Sequence, residues 1–255
     1  MHHLFSPEGE RAVSQLMRRR TLLAFDFDGT LAPIVANPDD ARVPSSMAQQ
    51  LDALSKQRPI AVITGRRLAD VRSRLGFEPA YLVGNHGAEG LSWVPNGFAM
   101  QSFRIRLNQQ SQTLHDAGVQ VEDKGLSLAL HFRTARDPIA AQRAMAFVTQ
   151  DLPLGLTVFG GKCVLNIVDS AAPDKGQAAL ELLGISGCES LFFVGDDVND
   201  ESVFRCAKPD WVTVRIGKLQ DIGSAMFYLD SYADMNTLLD RMQEICSNDS
   251  GQRSE

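Results

Sequence analysis

The chain has 255 residues, 44% hydrophobic and 22% charged, with a formal net charge of −6. That length and balance suit a soluble globular protein of one large domain or two smaller ones. The acidic surplus argues against a nucleic-acid backbone as the main partner, because phosphodiester contacts need a basic face, yet it leaves room for a local positive site that takes a small anion.

The early segment "SPEGERAVSQLMRRR" is charged, and the first apolar run is cut by Asp26. It therefore does not read as a signal peptide, and no run reaches the length of a membrane span. Cys163, Cys188, Cys206 and Cys246 show no ligand spacing and read as reduced structural thiols. The expected location is the cytoplasm, with neither nucleic acid nor membrane as a partner.

Short apolar runs then recur, each followed by a segment of helical period. "TLLAF" leads to Asp26, "IAVIT" to Thr64 and "AYLVG" to Asn85; later "LFFVG" leads to Asp196 and "WVTVRIG" closes at Gly217. Between them Met47, Leu51 and Leu54 share a helical face, as do Leu68, Val71 and Leu75, and near the end Met235, Leu238, Leu239, Met242 and Ile245 form a stripe. Apolar strands alternating with helices predict an α/β fold, a doubly wound parallel sheet covered on both sides. Ligands bind such sheets at the carboxyl ends of the strands, where these polar residues fall.

The middle of the chain breaks this rhythm. A helical stretch after Phe103 reaches about Asp116, "VQVED" and "LSLALHF" form a hairpin around Lys124-Gly125, and a helix spans Asp137 to about Gln150. "LTVFGGKCVLNIV" is a second hairpin with a Gly-Gly turn. This pattern predicts a small α+β insert over 104–172, between core segments 1–103 and 173–248, with 249–255 a disordered tail.

Two acidic clusters carry the chemistry. Asp26 and Asp28, two apart on an extended chain, point roughly the same way. Asp196 and Asp197 follow a second apolar strand, with Asp200 one turn on. Buried strands ending in carboxylates bring like charges together unless a cation lies between them, and Mg²⁺ takes carboxylates, waters and substrate phosphate. Phosphoryl transfer also needs donors for the phosphoryl oxygens. Thr64 in "VITGR" offers a hydroxyl, and equally reads as a helix cap; Lys175 opens a helix where the dipole does not favour a cation.

In that order "DFDGTL", "TGR", a helix-opening Lys and "GDDVND" resemble the four motifs of the haloacid dehalogenase-like hydrolases. "TGRRLADV", "GNHGAE", "VEDKGLSLALHFR" and "GDDVNDE" are similar to the trehalose-6-phosphate phosphatases among them, whose insert is a mobile cap. The resemblance implies Mg²⁺-dependent hydrolysis of trehalose 6-phosphate through an aspartyl-phosphate. Asp26 would be the nucleophile and Asp28 the general acid and base. Asp26, the Asp28 carbonyl and Asp196 would hold the metal, with Asp200 helping through water. Thr64 and Lys175 would hold the phosphoryl group, and Asp197 would orient the loop or touch the metal shell.

For the sugar, Gly65, Arg66, Asn85, His86 and Glu89 lie on loops at strand ends. In the insert, Leu128, Leu130 and Phe132 alternate with Ser127, His131 and Arg133, and Gln120, Glu122 and Lys124 share the polar face of the partner strand. The resemblance assigns Glu122 and Lys124 to the disaccharide. It also exposes a departure: where that family carries Glu-x-Arg-Pro, this chain has "NIVD", with Asn166 for the Glu and Val168 for the Arg. Another hexose phosphate, a phosphomutase reaction, and a phospho-acceptor or sugar-phosphate sensor that is not turned over stand as the alternatives.

Overall fold

The computed structural model describes residues 1–217 and 223–252, which divide into two compact units, one of residues 1–91 and 174–255 and the other of residues 92–173. Among the described residues no helix is long and apolar enough to cross a membrane.

The first half of the larger unit runs β1 (His2–His3), α1 (Pro7–Met17), β2 (Thr21–Phe25), α2 (Ser45–Ser55), β3 (Ile60–Ile63), α3 (Leu68–Arg72) and β4 (Tyr81–Val83). In the insert follow α4 (Phe98–Gln109), α5 (Ser111–Asp116), β5 (Gln120–Asp123), β6 (Ser127–His131), α6 (Pro138–Thr149), β7 (Leu156–Gly161) and β8 (Val164–Asp169). The larger unit resumes with α7 (Lys175–Ser186), β9 (Ser190–Gly195), α8 (Glu201–Cys206), β10 (Val212–Ile216), β11 (Phe227–Leu229) and α9 (Asp234–Gln252).

The core sheet has the order β1-β11-β10-β9-β2-β3-β4, and every pairing in it is parallel. From β2 the chain winds outward through β3 and β4, then restarts at β9 on the opposite side of β2. That reversal is the topological switch point at which open α/β sheets bind ligands. Because successive side chains alternate, one strand feeds both faces. Leu23, Phe25, Phe192 and Val194 pack with α1, α2 and α9, whereas Leu22, Ala24, Leu191 and Phe193 pack with α7 and α8. The terminal stripe forms α9 as expected, and the helix continues to Gln252, into the tail expected to be disordered from 249; residues 253–255 lie outside the described residues.

In the insert the sheet order is β5-β6-β8-β7, antiparallel throughout. Leu128, Leu130 and Ile167 face Met100, Phe103, Leu107, Met145 and Val148 of α4 and α6 in one apolar cluster. Two expectations need correction. The insert begins at Ser92, not residue 104, and ends at Pro173, not residue 172. The physical reason at its start is that Met100, Phe103 and Leu107 lend the insert its core, a burial that the sequence alone did not distinguish from packing on the larger sheet. The second hairpin turns at Lys162-Cys163: Gly161 pairs with Val164, and Cys163 takes the left-handed conformation (φ 61) while both glycines stay in the strand.

Phe103→Ala should therefore destabilise the insert by about 3–5 kcal/mol through the cavity it leaves, measured by chemical denaturation. A loss below about 1 kcal/mol, the scale of an ordinary surface change, would mean that α4 adds nothing to this core.

Candidate active site

The sheet order decides where the acids meet. β2 and β9 are neighbours, with Phe25 opposite Val194, and the Asp26 N–H donates to the Val194 carbonyl at 2.9 Å. Asp26 and Asp196 thus leave the same edge side by side. Asp200 arrives from the turn after β9, where its Oδ2 accepts from the N–H groups of Asp196 and Asp197, each at 2.9 Å. Carboxylate oxygens of Asp26, Asp196 and Asp200 lie within 4.8 Å of one another, and all three residues are buried.

Lys175 supplies the opposing charge. Asp174 caps α7 in a reciprocal capping box with Gln177, which sets Lys175 as the first helical residue. Its Nζ donates to Asp26 Oδ1 at 2.6 Å and to Asp200 Oδ1 at 2.7 Å, with the side chain 1% exposed. Burial works against the ammonium, but Asp200 and Asp26 outweigh it and hold the Lys175 pKa above the usual range. For Asp26, burial pushes the carboxyl well above the usual carboxylate range; Lys175 opposes this, while Asp200 and Asp196 add to it. One ammonium bridges two of the three carboxylates, so acidic groups outnumber basic ones in this cluster. A divalent cation with a preference for oxygen fits that deficit in both charge and donor type.

Two close approaches build the cluster. A Cβ on Gly195 would fall 2.3 Å from Asp200 Cγ, and one on Gly29 would fall 2.1 Å from Asp196 Oδ2. Gly29 also has φ 81, in the left-handed region that glycine adopts without strain.

Asp28 stands apart from the cluster. Its carboxylate accepts two bonds from Arg66, Nε to Oδ2 and Nη2 to Oδ1, both at 2.8 Å. The same guanidinium donates to Asp70 Oδ2 at 2.9 Å and to the Pro38 carbonyl at 2.9 Å, and lies over the Phe27 ring. Burial disfavours this charge, but Asp28 and Asp70 hold Arg66 more firmly protonated than usual. Arg66, expected to meet the substrate, is thus engaged by protein acceptors.

Thr64, buried at the end of β3, accepts from the Arg66 N–H at 3.1 Å. Gly65 backs onto the His86 ring, and Asn85 and His86 both have positive φ, 48 and 61. For a histidine that conformation is strained, a feature that concentrates at functional sites. Glu89 Oε2 accepts from Asn85 Nδ2 at 2.7 Å and from the Leu68 N–H at 3.0 Å, tying this loop to the start of α3.

Within the insert, register places Glu122 opposite Ala129 and Ala129 opposite Asn166, so all three share the face away from α4 and α6. Glu122 meets His131 Nε2 at 2.8 Å and lies 3.8 Å from Lys124 Nζ, while Arg133 lies beyond the end of β6. Asp197 serves as a cap: its side chain accepts from the Val198 N–H, and Asp200 completes the box.

A family model described as trehalose-phosphatase matches residues 24–223. The chain belongs to the trehalose-phosphatase family. Trehalose-phosphate phosphatases of Mycobacterium bovis and Mycobacterium tuberculosis are 32% identical to it over 245 residues, covering 89% of this chain and 62% of theirs. The chain thus spans less than two thirds of those relatives. Among solved structures, the C-terminal domain of trehalose-6-phosphate phosphatase from Candida albicans superposes with a TM-score of 0.77 at 20% identity, covering 93% of this chain and 96% of that one. The C-terminal domain of the trehalose synthase regulatory protein of Candida albicans gives 0.67 at 11% identity, covering 91% and 97%. At these identities the two structures speak for the fold.

Sequence reasoning missed Asp70 and Arg74, which continue the row begun by Asp28 and Arg66: Arg74 donates through Nε and Nη2 to Asp70 Oδ1. A signal was present, since Arg66, Asp70 and Arg74 are spaced four apart, which puts alternating charges in line on a helical surface.

Lys175→Met should destabilise the protein by about 3–5 kcal/mol in metal-free buffer at neutral pH, because it strips the counter-charge from a buried cluster. Urea denaturation reads this directly, and a loss under about 1 kcal/mol, the range of exposed ion pairs, would remove Lys175 from that role.

Proposed function

We propose that the protein is a Mg²⁺-dependent phosphatase that hydrolyses trehalose 6-phosphate to trehalose and phosphate. The observation that carries this reading is the buried cluster in which Lys175 bridges Asp26 and Asp200 beside Asp196. Its residues come from three separate parts of the chain, and the family match supports the same chemistry.

Asp26 and Asp196 are the carboxylates to hold the ion directly, with Asp200, whose oxygens already accept from Lys175 and two N–H groups, acting at one remove. The Asp28 carbonyl would be the third protein ligand. When bound, the ion supplies charge neutralisation for the phosphoryl oxygens and lowers the Asp26 pKa toward the ionised form that a nucleophile needs.

An oxygen of Asp26 attacks phosphorus in line, forming an aspartyl-phosphate as the bond from phosphorus to the sugar oxygen breaks. In its protonated form Asp28 gives a proton to the departing sugar oxygen and becomes the carboxylate that Arg66 holds. In the second step Asp28 takes a proton from water as the water oxygen attacks phosphorus, releasing phosphate and restoring Asp26. Lys175 and the Thr64 hydroxyl, whose oxygen already accepts from Arg66, donate to the phosphoryl oxygens. Gly65, Arg66, Asn85, His86 and Glu89 on the core, and Glu122, Lys124, His131, Arg133 and Asn166 on the insert, are assigned to sugar recognition. Asn166 offers hydrogen bonds without the charge of the glutamate it replaces.

The test is phosphate release from a panel of sugar phosphates, with Mg²⁺ present or chelated. Trehalose 6-phosphate should turn over at least tenfold faster than glucose 6-phosphate, and chelation or Asp26→Asn should abolish release. Equal, slow release from all sugars would overturn the substrate, and no release would overturn the chemistry. Independently of turnover, Mg²⁺ at a hundred times its dissociation constant should stabilise the chelated protein by about 2.7 kcal/mol.

A further inference from the structure

The row of alternating charges that starts at Asp28 runs on into groups that touch none of the reacting atoms. Arg66 bridges Asp28 and Asp70; Arg74 holds Asp70 Oδ1 through Nε at 2.8 Å and Nη2 at 2.5 Å, which turns Oδ2 toward Arg66. Arg74 is itself fixed by the Asp39 carbonyl at 2.5 Å and by Asp39 Oδ1 at 3.2 Å. The two arginine side chains are 12% and 8% exposed, while the Asp28 side chain at the other end is 39% exposed. A half-exposed aspartate on a loop would sample several rotamers. Here two parallel bonds to a planar guanidinium select one, provided that the plane itself is fixed. Phe27 fixes one face of that plane, and Pro38 and Asp70 fix its remaining edge.

We propose that Asp70 is a positioning residue for the reaction: by orienting the Arg66 guanidinium it sets where the Asp28 carboxylate stands. The assignment rests on the phosphatase reading above, in which Asp28 handles the proton of the leaving group. General acid–base groups contribute about 10²–10⁴-fold to rate, and a displacement of about 1 Å can cost about a hundredfold. A network at this distance from the chemistry therefore has room to matter. Were the row only a staple between α3 and the Pro38–Asp40 turn, its loss would lower stability and leave the balance between substrates unchanged.

Asp70→Asn keeps the shape but removes the charge and one acceptor oxygen, so the side chain can no longer serve Arg66 and Arg74 together. Two reactions are compared. Hydrolysis of the best sugar phosphate needs a proton on the departing alkoxide. The first-turnover burst of p-nitrophenolate from p-nitrophenyl phosphate does not, because that group leaves as a stable anion. The variant should lose at least tenfold in kcat on the sugar phosphate, with KM and the burst rate each within about twofold of the unaltered protein. Arg74→Lys, which keeps the charge but drops the double contact, should show the same selective loss at smaller size and carries the test if Asp70→Asn does not fold. Glu78→Gln, in an exposed pair with Arg72 outside the row, should change neither rate.

Equal losses in both reactions, or no loss in either, would overturn the assignment. If the unaltered protein releases neither phosphate from a sugar nor p-nitrophenolate, the phosphatase reading itself fails and this assignment with it.

Discussion

Three buried carboxylates beside one ammonium, which bonds two of them, are the constraint around which the larger unit is organised. A single unpaired carboxylate in an apolar interior is costly enough to take up a proton rather than stay charged. Three are tolerable here because parallel pairing of β2 and β9 brings Asp26 and Asp196 out together, the turn after β9 brings Asp200 beneath them, and the cap of α7 aims Lys175 between them. Each of these devices is ordinary. Their convergence at the switch point of the sheet creates an electrostatic demand that an oxygen-loving divalent cation meets.

The second unit solves a different problem. Its four strands bury one face against α4 and α6, and polar side chains such as Glu122, His131 and Asn166 populate the other. The acidic cluster sits on one unit, built from parallel pairing of distant segments, while Glu122, His131 and Asn166 sit on the hairpins of the other. Asn166 and Val168 both lie on β8, in the unit that carries none of the acidic cluster.

Much of this was legible in the sequence because the signals were local. Apolar runs ending in acids marked β2 and β9, and the alternation in "LSLALHF" marked β6 and its apolar face. What escaped was set by tertiary contact. Whether Met100 and Phe103 faced the large sheet or the small one could not be read from their spacing, which suits either. The short strands β1, at the sheet edge, and β11, beside it, are too brief to show a hydrophobic period and exist through their pairing. Arg66 reads as a substrate contact because it follows a strand end; the fold adds Asp28 and Asp70 flanking it.

The two glycines beside the cluster carry a genetic consequence. Gly29 meets Asp196 and Gly195 meets Asp200 at distances a Cβ could take only by pushing a cluster carboxylate aside. Every missense change at either codon, conservative or drastic, adds that carbon. For these two codons the graded scale on which substitutions are usually ranked collapses to a single step. A population survey should find them varying only at the silent third base, while codons for neighbouring exposed residues, such as Val198, drift freely.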